Sequence, residues 1–290
     1  MSEIVQIENL SFRYGRATVP ALCDISLSVQ EGQFVGITGP AGAGKTTLLS
    51  CMNGVIPHYY IGERTGHVVV DGLEVGSSSF RELASHIGSM FEDPDFQMVS
   101  ITVEEEIAFG PENLGIPPKE IERRIQDALE KTGIAHLRER AISTLSGGQK
   151  QRVAMAAALS MLPKLLLLDD PTSELDPAGT QEVISALRGL NRERGMTVLM
   201  VSQDMERLVE NADRLLVLSE GHLVLDGPPR EVCARTDVLE RVGVRTPQVT
   251  DFAISLLTRL KRTPQPDQLP LTVAEATAMF RQILDEGVPS

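Results

Sequence analysis

FVGITGPAGAGKTT, residues 34–47, is the stretch from which the fold is read. A short apolar run, FVGIT, meets a loop with glycines at 39, 42 and 44, and Lys45, Thr46 and Thr47 follow. Apolar residues bounded by glycines read as a buried strand. Gly39, Pro40, Ala41, Gly42, Ala43, Gly44, Lys45 and Thr46 match the pattern G-x-x-x-x-G-K-[ST] in full, with Thr47 directly after it. In such a loop the backbone N–H groups converge on phosphate oxygens, and the following helix turns its positive end toward them. Lys45 supplies a mobile cation for the outer phosphates, and the Thr46 hydroxyl is suited to Mg²⁺.

Strand-like runs recur outward from this segment: IVQI at 4–7, LCDISLSV at 22–29, HVVV at 67–70, IGSMF at 87–91, KLLLL at 164–168, MTVLMV at 196–201 and RLLVL at 214–218. Helical patterns lie between the later ones, at 121–133 and 178–195. Strands alternating with helices predict an α/β fold with a mainly parallel sheet. The early strands and HVVV lack helical partners, which predicts a small antiparallel sheet beside it. Beyond residue 228 the pattern is helical. TPQPDQLP at 263–270 reads as a linker, and Thr272 with Glu275 reads as a capping box for a last helix.

Composition narrows the function. The 290 residues are 42% hydrophobic, enough for a sizeable core, and the net charge of −13 argues against nucleic acid or anionic lipid held by bulk charge. No apolar run approaches the roughly 20 residues that span a bilayer, and MSEIVQIENL has no secretory pattern. Cys23, Cys51 and Cys233 are widely spaced, which fits a reducing compartment and no metal site.

Two further motifs carry chemistry. LSGGQKQR, residues 145–152, places Ser146, Gly147, Gly148 and Gln149 just before a helix, a second N-terminal site for an anion. LLLLDDPTSELD, residues 165–176, delivers Asp169 and Asp170 to the end of a buried strand. Upstream, the ring of Tyr14 is either a platform for a nucleobase or an ordinary strand aromatic.

With these motifs together, residues 3–235 resemble the nucleotide-binding subunit of ATP-binding cassette (ABC) transporters. The P-loop corresponds to that family's Walker A, LSGGQ to its signature, LLLLDD to Walker B and SELD, residues 173–176, to its D-loop. The resemblance implies a P-loop cassette with a helical signature subdomain at about 92–160 and a helical C-terminal extension at 236–290. FEDPDFQ, TVEEEIAFGPENLGIP, TPQVTDFA and LPLTVAEA are similar to the energy-coupling factor group, the ATPase components of vitamin and metal-ion importers. That similarity implies ATP and Mg²⁺ as cofactors and a head-to-tail dimer with a second ABC ATPase subunit. It also implies a place on the cytoplasmic face of the cell membrane, beneath a membrane-embedded coupling protein that meets the 91–97 loop, with a substrate-capturing membrane protein engaged indirectly.

Three residues depart from the family pattern. Asp170 stands where Glu is usual after the metal-binding Asp169, one methylene shorter and so with less reach toward a water. Gln203 replaces a usual His and cannot carry a proton. Glu92 replaces the usual Gln, with a carboxylate that can still meet Mg²⁺. The signature is intact. The pattern predicts a site of this chain's own that holds ATP and turns it over slowly, in a heterodimer whose productive site uses this chain's signature. Ordinary turnover at Asp170 and Gln203 stays open, as does a mainly structural ATP-binding subunit. A soluble ABC protein of DNA repair or translation is disfavoured by the absence of coiled-coil insertions and of a second cassette. The tail beyond 236 is either a dimer contact or a cap on its own domain.

Overall fold

A computed structural model describes residues 2–285 of the chain, so the last residues of the segment read as a C-terminal extension lie outside the described part. Ten strands lie among the described residues: β1 (Glu3–Tyr14), β2 (Leu22–Gln30), β3 (Phe34–Thr38), β4 (Gly62–Val70), β5 (Leu73–Glu74), β6 (Ile87–Met90), β7 (Leu165–Asp169), β8 (Thr197–Val201), β9 (Arg214–Ser219) and β10 (His222–Gly227). The chain divides into two compact units, one of residues up to Phe34 with Thr46–Val201, the other of Val35–Lys45 with the residues from Ser202 onward. That division falls inside the segment read as one cassette, and the tail beyond 235 belongs with residues 202–234.

In the first unit, β2, β1, β4 and β5 form an antiparallel sheet in that order. Its strands alternate, because one face packs inward and the other meets water: Val5, Leu10, Val29 and Val70 are buried while Glu3 and Glu8 are exposed. β6, β7 and β8 run parallel, side by side. Every residue of Leu165–Asp169 is buried, as expected for a parallel strand covered on both faces. The helices Val103–Asn113, Pro118–Lys131 and Gly147–Ser160 share a core of their own, with Val103, Ile107, Leu129, Val153 and Ala156 fully excluded from water.

In the second unit, β3 pairs parallel with β9, and β9 pairs antiparallel with β10. The stretch 263–270 is more than a linker. It contains a 3₁₀ turn at Pro266–Gln268, Leu269 is only 1% exposed, the Pro270 carbonyl accepts from Thr250 Oγ1 at 2.6 Å, and the Leu269 carbonyl accepts from Arg230. Thr272 Oγ1 accepts from the Glu275 N–H at 3.2 Å, as a helix cap should. The Glu275 carboxylate does not close the box on Thr272. It accepts from the Leu271 N–H at 2.8 Å and pairs with Arg230 at 2.6 Å, which pins the helix Val273–Asp285 to the helix Pro229–Ala234.

Sequence patterning did not reveal β5 and β10. Each is the return strand of a two-residue hairpin: Asp71-Gly72 (φ 47° and 80°) and Glu220-Gly221 (φ 49° and 79°) both have the paired positive φ of a type I′ turn.

Candidate functional site

The P-loop, Gly39 to Gly44, leaves β3 and enters the helix Lys45–Met52. Gly39 is required here. Its φ is 145°, and a Cβ would lie 2.1 Å from the Leu218 carbonyl oxygen, so no other residue fits between loop and β9. Ala43 and Gly44 are buried, whereas Ala41 and Gly42 at the crest are exposed. The Ala43 carbonyl is held by the Gly221 N–H at 3.1 Å. The Lys45 ammonium folds back over the loop, donating to the Gly39 and Pro40 carbonyls at 2.8 Å each. In this unit, too, the exposed Gln203 follows Ser202, and Asp204 caps the helix Met205–Asn211.

In the other unit, Thr46 and Asp169 line one small cavity of about 10 Å³, together with Ser50, Asn53 and Ser89. That is room for about one water-sized group. Asp169 ends β7 and is 4% exposed. A hydroxyl and a buried carboxylate lining one cavity are hard oxygen donors of the kind Mg²⁺ takes. Asp170, next in the chain, adopts φ 46°, and its N–H donates to the Val201 carbonyl at 3.1 Å. Thr47 Oγ1 is 3.2 Å from the Tyr14 hydroxyl, so β1 is tied to the P-loop helix. Burial pushes the Tyr14 hydroxyl above its ordinary pKa against that hydrogen bond. Phe12 and Tyr60 pack edge-on to the Tyr14 ring, at 4.8 and 5.6 Å between centroids.

Ser146 caps the helix Gly147–Ser160 with a complete capping box: its Oγ accepts from the Gln149 N–H at 3.3 Å, and Gln149 Oε1 accepts from the Ser146 N–H at 3.0 Å. Gly147 and Gly148 are pressed against Glu174, and an added Cβ would come within 2.9 Å of its carboxylate or its carbonyl oxygen. The signature and the SELD segment of one chain are therefore in direct contact.

The turn after β6 is built locally. Asp93 caps the 3₁₀ turn Pro94–Phe96, accepting from the Asp95 N–H at 2.9 Å. Gln97 Oε1 accepts from the Phe91 N–H at 3.0 Å, a brace that patterning did not single out. Asp95 pairs with Lys150 of the signature helix at 2.5 Å, a contact 55 residues apart in sequence with no local signal. Glu92 is exposed and is not among the residues lining the Thr46–Asp169 cavity. Beside the turn lies an apolar recess of about 250 Å³ lined by Val55, Phe80, Phe91, Phe109 and Met161, and Phe96 is 88% exposed. No helix of the described residues is long and apolar enough to cross a membrane.

The ABC transporter family profile matches residues 22–173. The chain belongs to the ABC transporter family of ATP-binding cassettes, whose members are ATPases. A protein of Pyrococcus abyssi, provisionally named an ABC transporter ATP-binding protein, is 45% identical over 244 residues, covering 84% of this chain and 87% of its own length. The energy-coupling factor transporter ATP-binding protein EcfA1 of Caldanaerobacter subterraneus is 41% identical over 260 residues, covering 88% of this chain and 92% of its own. Among solved structures, cbiO1 of Clostridium perfringens, described as part of the ABC transporter complex cbiONQ, superposes with a TM-score of 0.71. It is 35% identical, and the match covers 84% of this chain and 96% of that one.

Proposed function

We propose that this chain is the ATPase subunit of an importer of the energy-coupling factor kind, carrying a vitamin or a metal ion, and that its own nucleotide site is the slower of two. The convergence of the Thr46 hydroxyl and the buried Asp169 on one cavity at the start of the P-loop helix carries the reading. The P-loop N–H groups and Lys45 hold the phosphates. Thr46 and Asp169 hold Mg²⁺, which, when bound, neutralises phosphate charge. Asp170 orients the attacking water with reduced reach, and Gln203 donates a hydrogen bond without moving a proton. Cassettes of this family assemble as dimers. The partner here is a second cassette, whose ATP is completed by Ser146, Gly147, Gly148 and Gln149 of this chain. The similarity to EcfA1 and cbiO1 supports the importer type.

Tyr14 carries the nucleobase, its hydroxyl anchored by Thr47. Loss of one base–aromatic contact costs about 1–3 kcal/mol, so Tyr14→Ala is expected to weaken ATP binding by about tenfold or more, with Tyr14→Phe near the wild type. Equilibrium titration with ATP reads this directly. Equal weakening by Phe would move the effect from the ring to the hydroxyl.

The 91–97 turn faces the membrane-embedded partner, with Phe96 and the neighbouring apolar recess as the contact. Asp95 is already paired with Lys150, so the proposed contact rests on Phe96 and the recess. Phe96→Ser is expected to lower recovery of the assembled complex several-fold without altering ATP affinity. Undiminished co-purification would remove this surface from the interface.

A phosphate-release assay of the purified chain, alone and assembled, tests the whole reading. Release in the assembled complex with little from the chain alone is expected.

A further inference from the structure

Gln151 follows the signature by two residues and is only 1% exposed, yet its carboxamide is fully used. Nε2 donates to the Asp170 carbonyl at 3.2 Å and to Ser173 Oγ at 3.0 Å, and Oε1 accepts from the Glu174 N–H at 3.1 Å. Every partner lies between Asp170, the last residue of Walker B, and Glu174. Ser173 adds a bond of its own, Oγ to the Asp170 carbonyl at 3.2 Å. Asp170 itself stands at φ 46°, a left-handed conformation that is costly for a residue with a Cβ. Such a backbone persists only where its surroundings hold it, and the Gln151 amide grips the carbonyl of that residue. Glu174, whose N–H Gln151 holds, is the residue packed against Gly147 and Gly148. One side chain therefore joins the signature helix to the carboxylate-bearing residue and to the D-loop.

We infer that Gln151 is a positioning residue for hydrolysis: it sets the backbone of Asp170 and locks the 170–174 segment to the signature helix, so that the signature and Asp170 move as one body. This rests on the reading of Asp170 and the signature as parts of the ATPase sites. Gln151 does not touch nucleotide, so its loss affects turnover and leaves binding intact. A glutamate in its place keeps the acceptor for Glu174 N–H and loses both donor bonds, and a leucine loses all three.

The test compares full-length wild type, Gln151→Glu, Gln151→Leu and Lys45→Ala in four measurements. They are ATP dissociation constant, melting temperature, kcat and KM for phosphate release with MgATP, and amide hydrogen exchange of the 170–175 peptide. In the assembled complex, Gln151→Leu is expected to lower kcat about tenfold or more through the signature that completes the partner's site, because Glu174, which Gln151 holds, packs against Gly147 and Gly148 and small misplacements of a reacting group cost that much. KM and the ATP dissociation constant should stay within about twofold. Exchange across 170–175 should accelerate several-fold while that of the Pro118–Lys131 helix holds, because the effect is local. Gln151→Glu should share the kcat loss, which a side chain that merely filled space would not show. Unchanged exchange at 170–175 in a folded Gln151→Leu chain overturns the inference, whatever the rate. So does a kcat loss matched by equal loss of ATP affinity and of exchange protection throughout the unit. Failure of the underlying reading shows separately, as ATP binding retained in Lys45→Ala.

Discussion

Ser146→Arg is expected to abolish nearly all phosphate release by the assembled complex, by about a hundredfold or more, while Asp170→Asn costs about twofold at most. Ser146 is exposed at the first turn of its helix and both donates and accepts in a capping box with Gln149. A γ-phosphate of the partner's ATP is to rest against that turn, where helix N–H groups meet it. Arginine fills the space and removes the cap. The cap alone is worth about 1 kcal/mol of stability, so Ser146→Ala separates the two effects, with modest loss of melting temperature and most activity kept. A hundredfold loss is about 2.7 kcal/mol of transition-state stabilisation, more than a lost cap explains. Asp170 serves this chain's own site, which by proposal holds ATP and hydrolyses it slowly, so the complex tolerates its loss. Turnover abolished by Asp170→Asn as completely as by Ser146→Arg shows instead that both sites must hydrolyse.

Lys45→Ala is expected to lower ATP affinity by about a hundredfold or more. Charge-assisted hydrogen bonds to phosphate contribute about 1.5–3 kcal/mol each, and the alanine leaves no cation to make them. The ammonium now rests on the Gly39 and Pro40 carbonyls at 2.8 Å, so it is pre-positioned at the loop and needs only to turn toward an incoming anion. Both carbonyls can take water once it is gone, and the chain should melt near the wild-type temperature. Equilibrium binding of ATP, read beside thermal unfolding, is the check. Unchanged affinity in a folded variant removes the P-loop from the nucleotide site.

The chain's elements were legible where a signal repeats over neighbouring residues. Leu165–Leu168 reads as a doubly covered strand because four apolar residues in a row have no polar face. The P-loop reads from glycine spacing because only glycine escapes the clash that a Cβ at Gly39 meets with the Leu218 carbonyl. Ser146 reads as the residue just before a helix, and its capping box with Gln149 is what the structure adds. Tertiary structure alone decided the rest, since the contacts join residues whose local sequence carries no mark of the partner. Lys150 finds Asp95. Gln151 is polar in a helix that gives no reason to bury it, and it is buried because the carbonyl of Asp170 and the N–H of Glu174 need partners away from water. The 263–270 segment looks like a linker because of its prolines and glutamines, and it is anchored because Thr250 and Arg230 satisfy its carbonyls. Glu92 shares the motif FEDPDFQ with Phe91, yet Phe91 lines the cavity of Thr46 and Asp169 and Glu92 does not, a difference set by the direction of the chain leaving β6. Patterns along the chain specify which elements form, because strand, loop and cap depend on neighbours. Which side chains meet across them depends on packing, which no stretch of sequence holds by itself.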